Sequence, residues 1–168
     1  HILYDVINRD EDVFCERVYA PSVDMEEKMR ENNIPLFALE SREAITNFDF
    51  LAFTLQYELS YTNILNMMDL AKVEILAKDR KLDDPFILVG GPCAYNPEPM
   101  ADFVDIVVLG EGEEVNLEIV NRYKEWKKNK TTRDEFLLDI ANIEGVYIPK
   151  FYDVSYNEDN TIKEVKAN

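Results

Sequence analysis

Side chains able to do acid–base, nucleophilic or metal chemistry are few in this sequence, and their spacing excludes several reactions. The only histidine is His1. Ser41 and Ser60 therefore have no imidazole to activate them, which argues against acyl transfer by a Ser–His pair. Cys15 and Cys93 are far apart and belong to no C-x-x-C or C-x-x-x-C-x-x-C pattern. A zinc ribbon or an iron–sulfur cluster needs about four ligands, so this chain alone is expected to hold neither, and to bind no iron. Both cysteines read as buried thiols of a reducing cytosol. Glu111, Glu113 and Glu114 form the densest acidic cluster beside glycine. They lack a histidine to complete a metal site and suit the first turn of a helix, where carboxylates favour the dipole.

Glycine placement is more informative. Four of the five glycines fall in two loops, Gly90-Gly91-Pro92-Cys93-Ala94 and Gly110-Glu111-Gly112-Glu113-Glu114. Each follows an apolar run, as does a third loop, Gln56-Tyr57-Glu58-Leu59-Ser60-Tyr61. In open α/β sheets ligands bind outside the carboxyl ends of the strands. Glycine there lets a flat ligand approach the backbone, although turn geometry alone also calls for it. The candidate rim is Gln56, Tyr57, Gly90, Gly91, Pro92, Gly110, Glu111, Gly112 and Glu113, with Gly91 and Gly110 expected on neighbouring strands. Gly110-x-Gly112 before a helix is also the shape of a phosphate turn. That reading fails because three glutamates would repel the phosphate, and both the P-loop lysine and the third dinucleotide glycine are missing.

The elements that must carry these loops follow from periodicity. Residues 2–9, 24–33, 60–72 and 113–129 repeat apolar side chains at helical spacing. Asp24 with Glu27, and Thr132 with Glu135, look like capping boxes, the second for a helix that buries Phe136, Leu137 and Ile140. Val13–Tyr19 reads as a strand. Phe48–Leu55, Phe86–Val89 and Asp105–Leu109 are nearly unbroken apolar runs, as in strands buried on both faces. Strands alternating with helices predict βαβ units. The expected fold is a three-layer, doubly wound, flavodoxin-like α/β domain over residues 1–144 with a mostly parallel sheet. Residues 145–168 are expected to form a β-hairpin extension turning at Asn157–Asn160. Such a domain usually opens with a strand, yet the first residues here are helical, so a first strand and its loop are expected to be missing.

The formal net charge is −16. A nucleic-acid backbone or an anionic membrane surface would need lysine and arginine, so neither is an expected partner. No apolar run approaches the ~20 residues that span a bilayer, and a cytoplasmic location is expected.

Taken together, Gly90-Gly91-Pro92, seventeen residues, then Gly110-Glu111-Gly112-Glu113 resembles the cobalamin-binding-type, Rossmann-like domain that precedes many radical S-adenosylmethionine catalytic domains. Glu16-Arg17-Val18-Tyr19-Ala20-Pro21, Ser60-Tyr61-Thr62-Asn63 and Gly90 through Pro99 look like one branch of those Fe-S oxidoreductases. The resemblance covers nearly the whole chain. It implies an accessory domain, inactive alone, that binds cobalamin or another flat ligand at this rim or shapes the entrance to a radical-SAM barrel of the same parent chain. The barrel would hold a 4Fe-4S cluster and S-adenosylmethionine. Two family features are absent: the Asp-x-His-x-x-Gly loop carrying the lower cobalamin ligand, and the cluster's cysteine triplet. The architectural role therefore ranks above cobalamin binding. The rival reading is a flavodoxin-like flavin module, with Tyr57, Tyr61 and Tyr95 stacking on the isoalloxazine. It lacks a Ser/Thr/Gly-rich phosphate loop, and the acidic rim opposes a phosphate tail.

Overall fold

A computed structural model describes residues 2–168, so His1 lies outside the described residues. The core is a four-stranded sheet in the order β1 (Phe50–Thr54), β2 (Phe86–Gly90), β3 (Ile106–Val108), β4 (Val146–Tyr147). The first three strands are parallel, and β4 closes the sheet antiparallel to β3. The helices are α1 (Ile2–Ile7), α2 (Val23–Glu31), α3 (Tyr61–Leu70), α4 (Gly112–Asn129) and α5 (Arg133–Ile140).

Alternation along the strands divides the core in two. Leu51, Ile87, Val89 and Val107 point to one side, where Ile64, Met67 and Met68 of α3 and Met29 of α2 cover them. Phe86, Leu88, Ile106 and Val108 point to the other, under Ile119 and Tyr123 of α4 and Phe136, Leu137 and Ile140 of α5. This is the three-layer α/β arrangement expected from the periodicity. The second side is dominated by aromatic rings, with Phe86 and Phe136 centroids 4.8 Å apart and Trp126 5.5 Å from Phe136. The Thr132 cap forms as expected, its hydroxyl accepting the Glu135 N–H at 3.2 Å.

Three expectations are corrected. First, β1 is not buried on both faces: Ala52 is exposed and Phe50 and Phe53 are half-buried, because β1 is the edge strand of the sheet. Second, Val13–Tyr19 joins no ladder. Side chains take the place of a neighbouring strand there. Asn8 Oδ1 accepts the Cys15 N–H, Asn8 Nδ2 donates to the Cys15 carbonyl, and Glu40 accepts the Arg17 N–H. Third, Asp24 does not cap α2; Ser22 stands at the N-cap and spends its hydroxyl on the Asp24 carboxylate.

Residues 145–168 divide into two parts. Val146–Tyr147 belongs to the main sheet and Ile148 is buried in its core. The antiparallel hairpin comprises β5 (Tyr152–Tyr156) and β6 (Ile162–Ala167), and its turn is closed by the Asn157 N–H donating to the Thr161 carbonyl. No described helix is long and apolar enough to cross a membrane.

Candidate functional site

Because β1, β2 and β3 are adjacent and parallel, the loops that follow them lie side by side at the carboxyl edge. Gly91 and Gly110 thus stand beyond neighbouring strands. The first two loops are knitted directly: the Leu55 N–H donates to the Gly90 carbonyl at 2.7 Å and the Cys93 N–H to the Leu55 carbonyl at 3.0 Å. The third is anchored by the Leu109 N–H on the Gly145 carbonyl, 2.7 Å. Gln56, Tyr57, Pro92, Gly110 and Glu111 are exposed, while Gly90, Gly91, Gly112 and Glu113 are half-buried.

The glycines have different reasons to be there. Gly91 has φ +102°, and a Cβ would stand 3.1 Å from the Leu55 carbonyl oxygen. Gly110 has φ +100° but open space around it. Gly112 opens α4, and a Cβ there would press on Asn116, whose side chain donates to the Gly112 carbonyl at 2.7 Å. Gly91→Ala should therefore destabilise the chain by more than the ~1 kcal/mol of a left-handed alanine. Gly110→Ala should cost about that strain alone. Urea unfolding of the two variants would check the order; equal losses would mean that the Leu55 contact is not tight.

Glu111 is the N-cap of α4, with Glu113 and Glu114 in its first turn and no side-chain cap bond. Their placement suits the helix dipole. Cys93 is half-buried at the same edge; burial first, then the nearby Glu58 carboxylate, pushes its thiol up. Cys15 is likewise half-buried, its thiol raised by burial and then by Glu40 and Glu16. Neither is a ready thiolate, and thiolate is the form that attacks electrophiles and binds metals. Among the described residues no cluster of three or more His, Cys, Asp or Glu side chains could hold a metal ion. The donor set present thus does not fit an iron–sulfur cluster, nor does the rim offer an imidazole for cobalt.

Two clefts lie elsewhere. One, of about 580 Å³, opens at the amino edge of the sheet among Arg80, Asp105, Arg133 and Lys150. The other, of about 650 Å³, runs along β1 beside α4 and residues 12–16. None of the predicted rim residues lines either. The amino-edge cleft contains a buried ionic cluster that sequence reasoning missed. Asp105 Oδ2 accepts from Arg80 at 2.7 Å and from the Ile87 N–H at 2.7 Å, and it forms an ion pair with Arg133 at 3.1 Å. Arg80 also donates to the Glu74 and Ile75 carbonyls, both at 3.0 Å, and to that of Phe103. Burial pulls Arg80 below its ordinary pKa, against the opposing pull of Asp105. All three nitrogens of the Arg80 guanidinium donate to protein, so the cluster ties strands and loops together. Its one sequence signal is an acid opening the apolar run Asp105–Leu109.

Against this geometry, the sequence matches the family of radical SAM proteins, N-terminal region, over residues 1–149, and the chain belongs to that family. It is also 35% identical over 100 residues to an uncharacterized protein of Methanocaldococcus jannaschii, covering 56% of this chain and 20% of that protein. The matched stretch thus spans about a fifth of the curated relative. No solved structure gives a significant match.

Proposed function

We propose that the chain is an accessory domain of a radical S-adenosylmethionine protein, with its carboxyl-edge rim turned toward a catalytic barrel of the same polypeptide. The family match carries this reading. The rim supports it: Tyr57, Leu59 and Tyr95 are 54%, 81% and 71% exposed, and large apolar side chains left in water together mark a contact surface. The cluster and S-adenosylmethionine belong to the barrel, since the donors here do not suit them. The role is architectural rather than cobalamin-ligating, because the chain's only imidazole is residue 1. Gln56–Tyr61 and Gly110–Glu114 are the surface that meets the barrel.

The complete reading frame and one double variant test this. A C-x-x-x-C-x-x-C motif is expected downstream of residue 168. Leu59→Glu with Tyr95→Glu should shift the stability of the isolated chain by no more than ~1 kcal/mol, since surface substitutions are usually within about 0.5 kcal/mol each. The same pair should lower S-adenosylmethionine cleavage by the longer protein. A frame without the motif, or unaltered cleavage, would refute the reading. Hydroxocobalamin titrated into the isolated chain should keep its free spectrum; a shift characteristic of histidine coordination would reverse the ranking.

A further inference from the structure

Two free backbone edges border the cleft along β1. The Phe86 N–H bonds to the Asp49 carbonyl and the Leu55 N–H to the Gly90 carbonyl. Odd-numbered residues of β1 therefore face β2, and Phe50, Ala52 and Thr54 turn their N–H and C=O groups outward. Among the described residues those groups have no backbone or side-chain partner. Across the cleft, Val13–Tyr19 is extended in the same alternating way. Cys15 and Arg17 are engaged on one edge by Asn8, Glu40 and the Leu39 N–H. The backbone groups of Phe14, Glu16 and Val18 have no partner among the described residues. Both segments line the cleft, whose floor includes Phe50, Leu88, Ile119 and Tyr123. Phe14 is 81% exposed and α1 buries none of its residues.

We infer that this cleft receives one β-strand of the same polypeptide from outside residues 1–168, inserted between β1 and Val13–Tyr19 and parallel to β1. It rests on the reading above that the chain is part of a longer protein, as its 20% span of the curated relative supports. A strand supplies both missing ladders at once, because its N–H and C=O groups point alternately to either side. Its apolar side chains would cover Ala52, Phe14 and the cleft-facing side of α1. The direction follows from α1. Leu3 lies against Gly112 at the carboxyl edge, and Asp10, just past the helix, pairs with Lys124 toward the far end of α4. Thus α1 runs from the carboxyl edge back toward the amino edge. A strand parallel to β1 ends where α1 begins, so strand, α1 and Val13–Tyr19 form a βαβ unit. The insertion also explains why a sequence rich in strand formers at Val13–Tyr19 makes no ladder here.

Residue-resolved amide hydrogen exchange on the 168-residue chain and on the polypeptide of the complete reading frame tests this. The amides of Ala52, Thr54, Phe14, Glu16 and Val18 should exchange freely in the former and at least about tenfold more slowly in the latter, as ladder formation slows exchange. Protection of Ala52 and Thr54 without the other three would mean that a different surface covers β1, and would overturn the insertion. Protection in the 168-residue chain that grows with concentration would make the occupant a second copy, equally against it. Free exchange in both proteins would overturn it too, while leaving the accessory-domain reading intact if the cysteine motif is present. A reading frame that adds no residues would remove both.

Discussion

Asp105→Ala should destabilise the chain by about 3–5 kcal/mol, the range for removing one partner of a buried ion pair. The Arg80 side chain is fully buried and that of Asp105 4% exposed, so in the folded chain the two charges are compensated by protein groups rather than by bulk water. The substitution also strands the Ile87 N–H at the start of the parallel sheet. Domains are typically stable by only about 5–15 kcal/mol, so the variant should unfold at much lower urea. Arg80→Met provides the comparison. It leaves Asp105 paired with Arg133, and a buried charge replaced by an apolar side chain is far better tolerated than one left unpaired. The loss should be smaller than for Asp105→Ala. If Arg80→Met proves the more damaging, the carbonyl bonds of Arg80 matter more than its charge pairing.

Phe136→Ala should cost about 3–5 kcal/mol, as for other large-to-small changes at buried phenylalanine. Phe136 is 0% exposed and its ring packs on Phe50, Phe86, Tyr123 and Trp126, with centroids 4.8–6.1 Å apart. Those rings come from β1, β2 and α4, so none can collapse into the space without moving an element. Loss of near-ultraviolet circular dichroism and a lower thermal midpoint are expected together. Phe136→Leu should recover much of the loss, since it restores most of the buried volume. A midpoint within a degree of the parent's for the alanine variant would show that the cluster is loosely packed.

The two central strands were legible because residues buried on both faces must be apolar without interruption, and Phe86–Val89 and Ile106–Leu109 satisfy that locally. The α5 cap was equally legible, since Thr132 and Glu135 meet within one helical turn. Val13–Tyr19 was misread for a non-local reason: a strand exists only when a neighbour completes its hydrogen bonds, and β-propensity does not say whether a neighbour is there. The same applies to β1, whose apolar run looks like a central strand but lies at the sheet's edge.

The α/β class and the two glycine turns that end apolar strands could be read from the sequence alone. These depend on residue types and on spacings of a few positions. Only the tertiary structure decided that Arg80, Asp105 and Arg133 share one buried site, since they are 25 and 28 residues apart along the chain and meet only where β2, β3 and α5 begin. It also decided that the free edges of β1 and Val13–Tyr19 border one cleft, because hydrogen-bond pairing between strands is a property of neighbours in space, not of either segment alone.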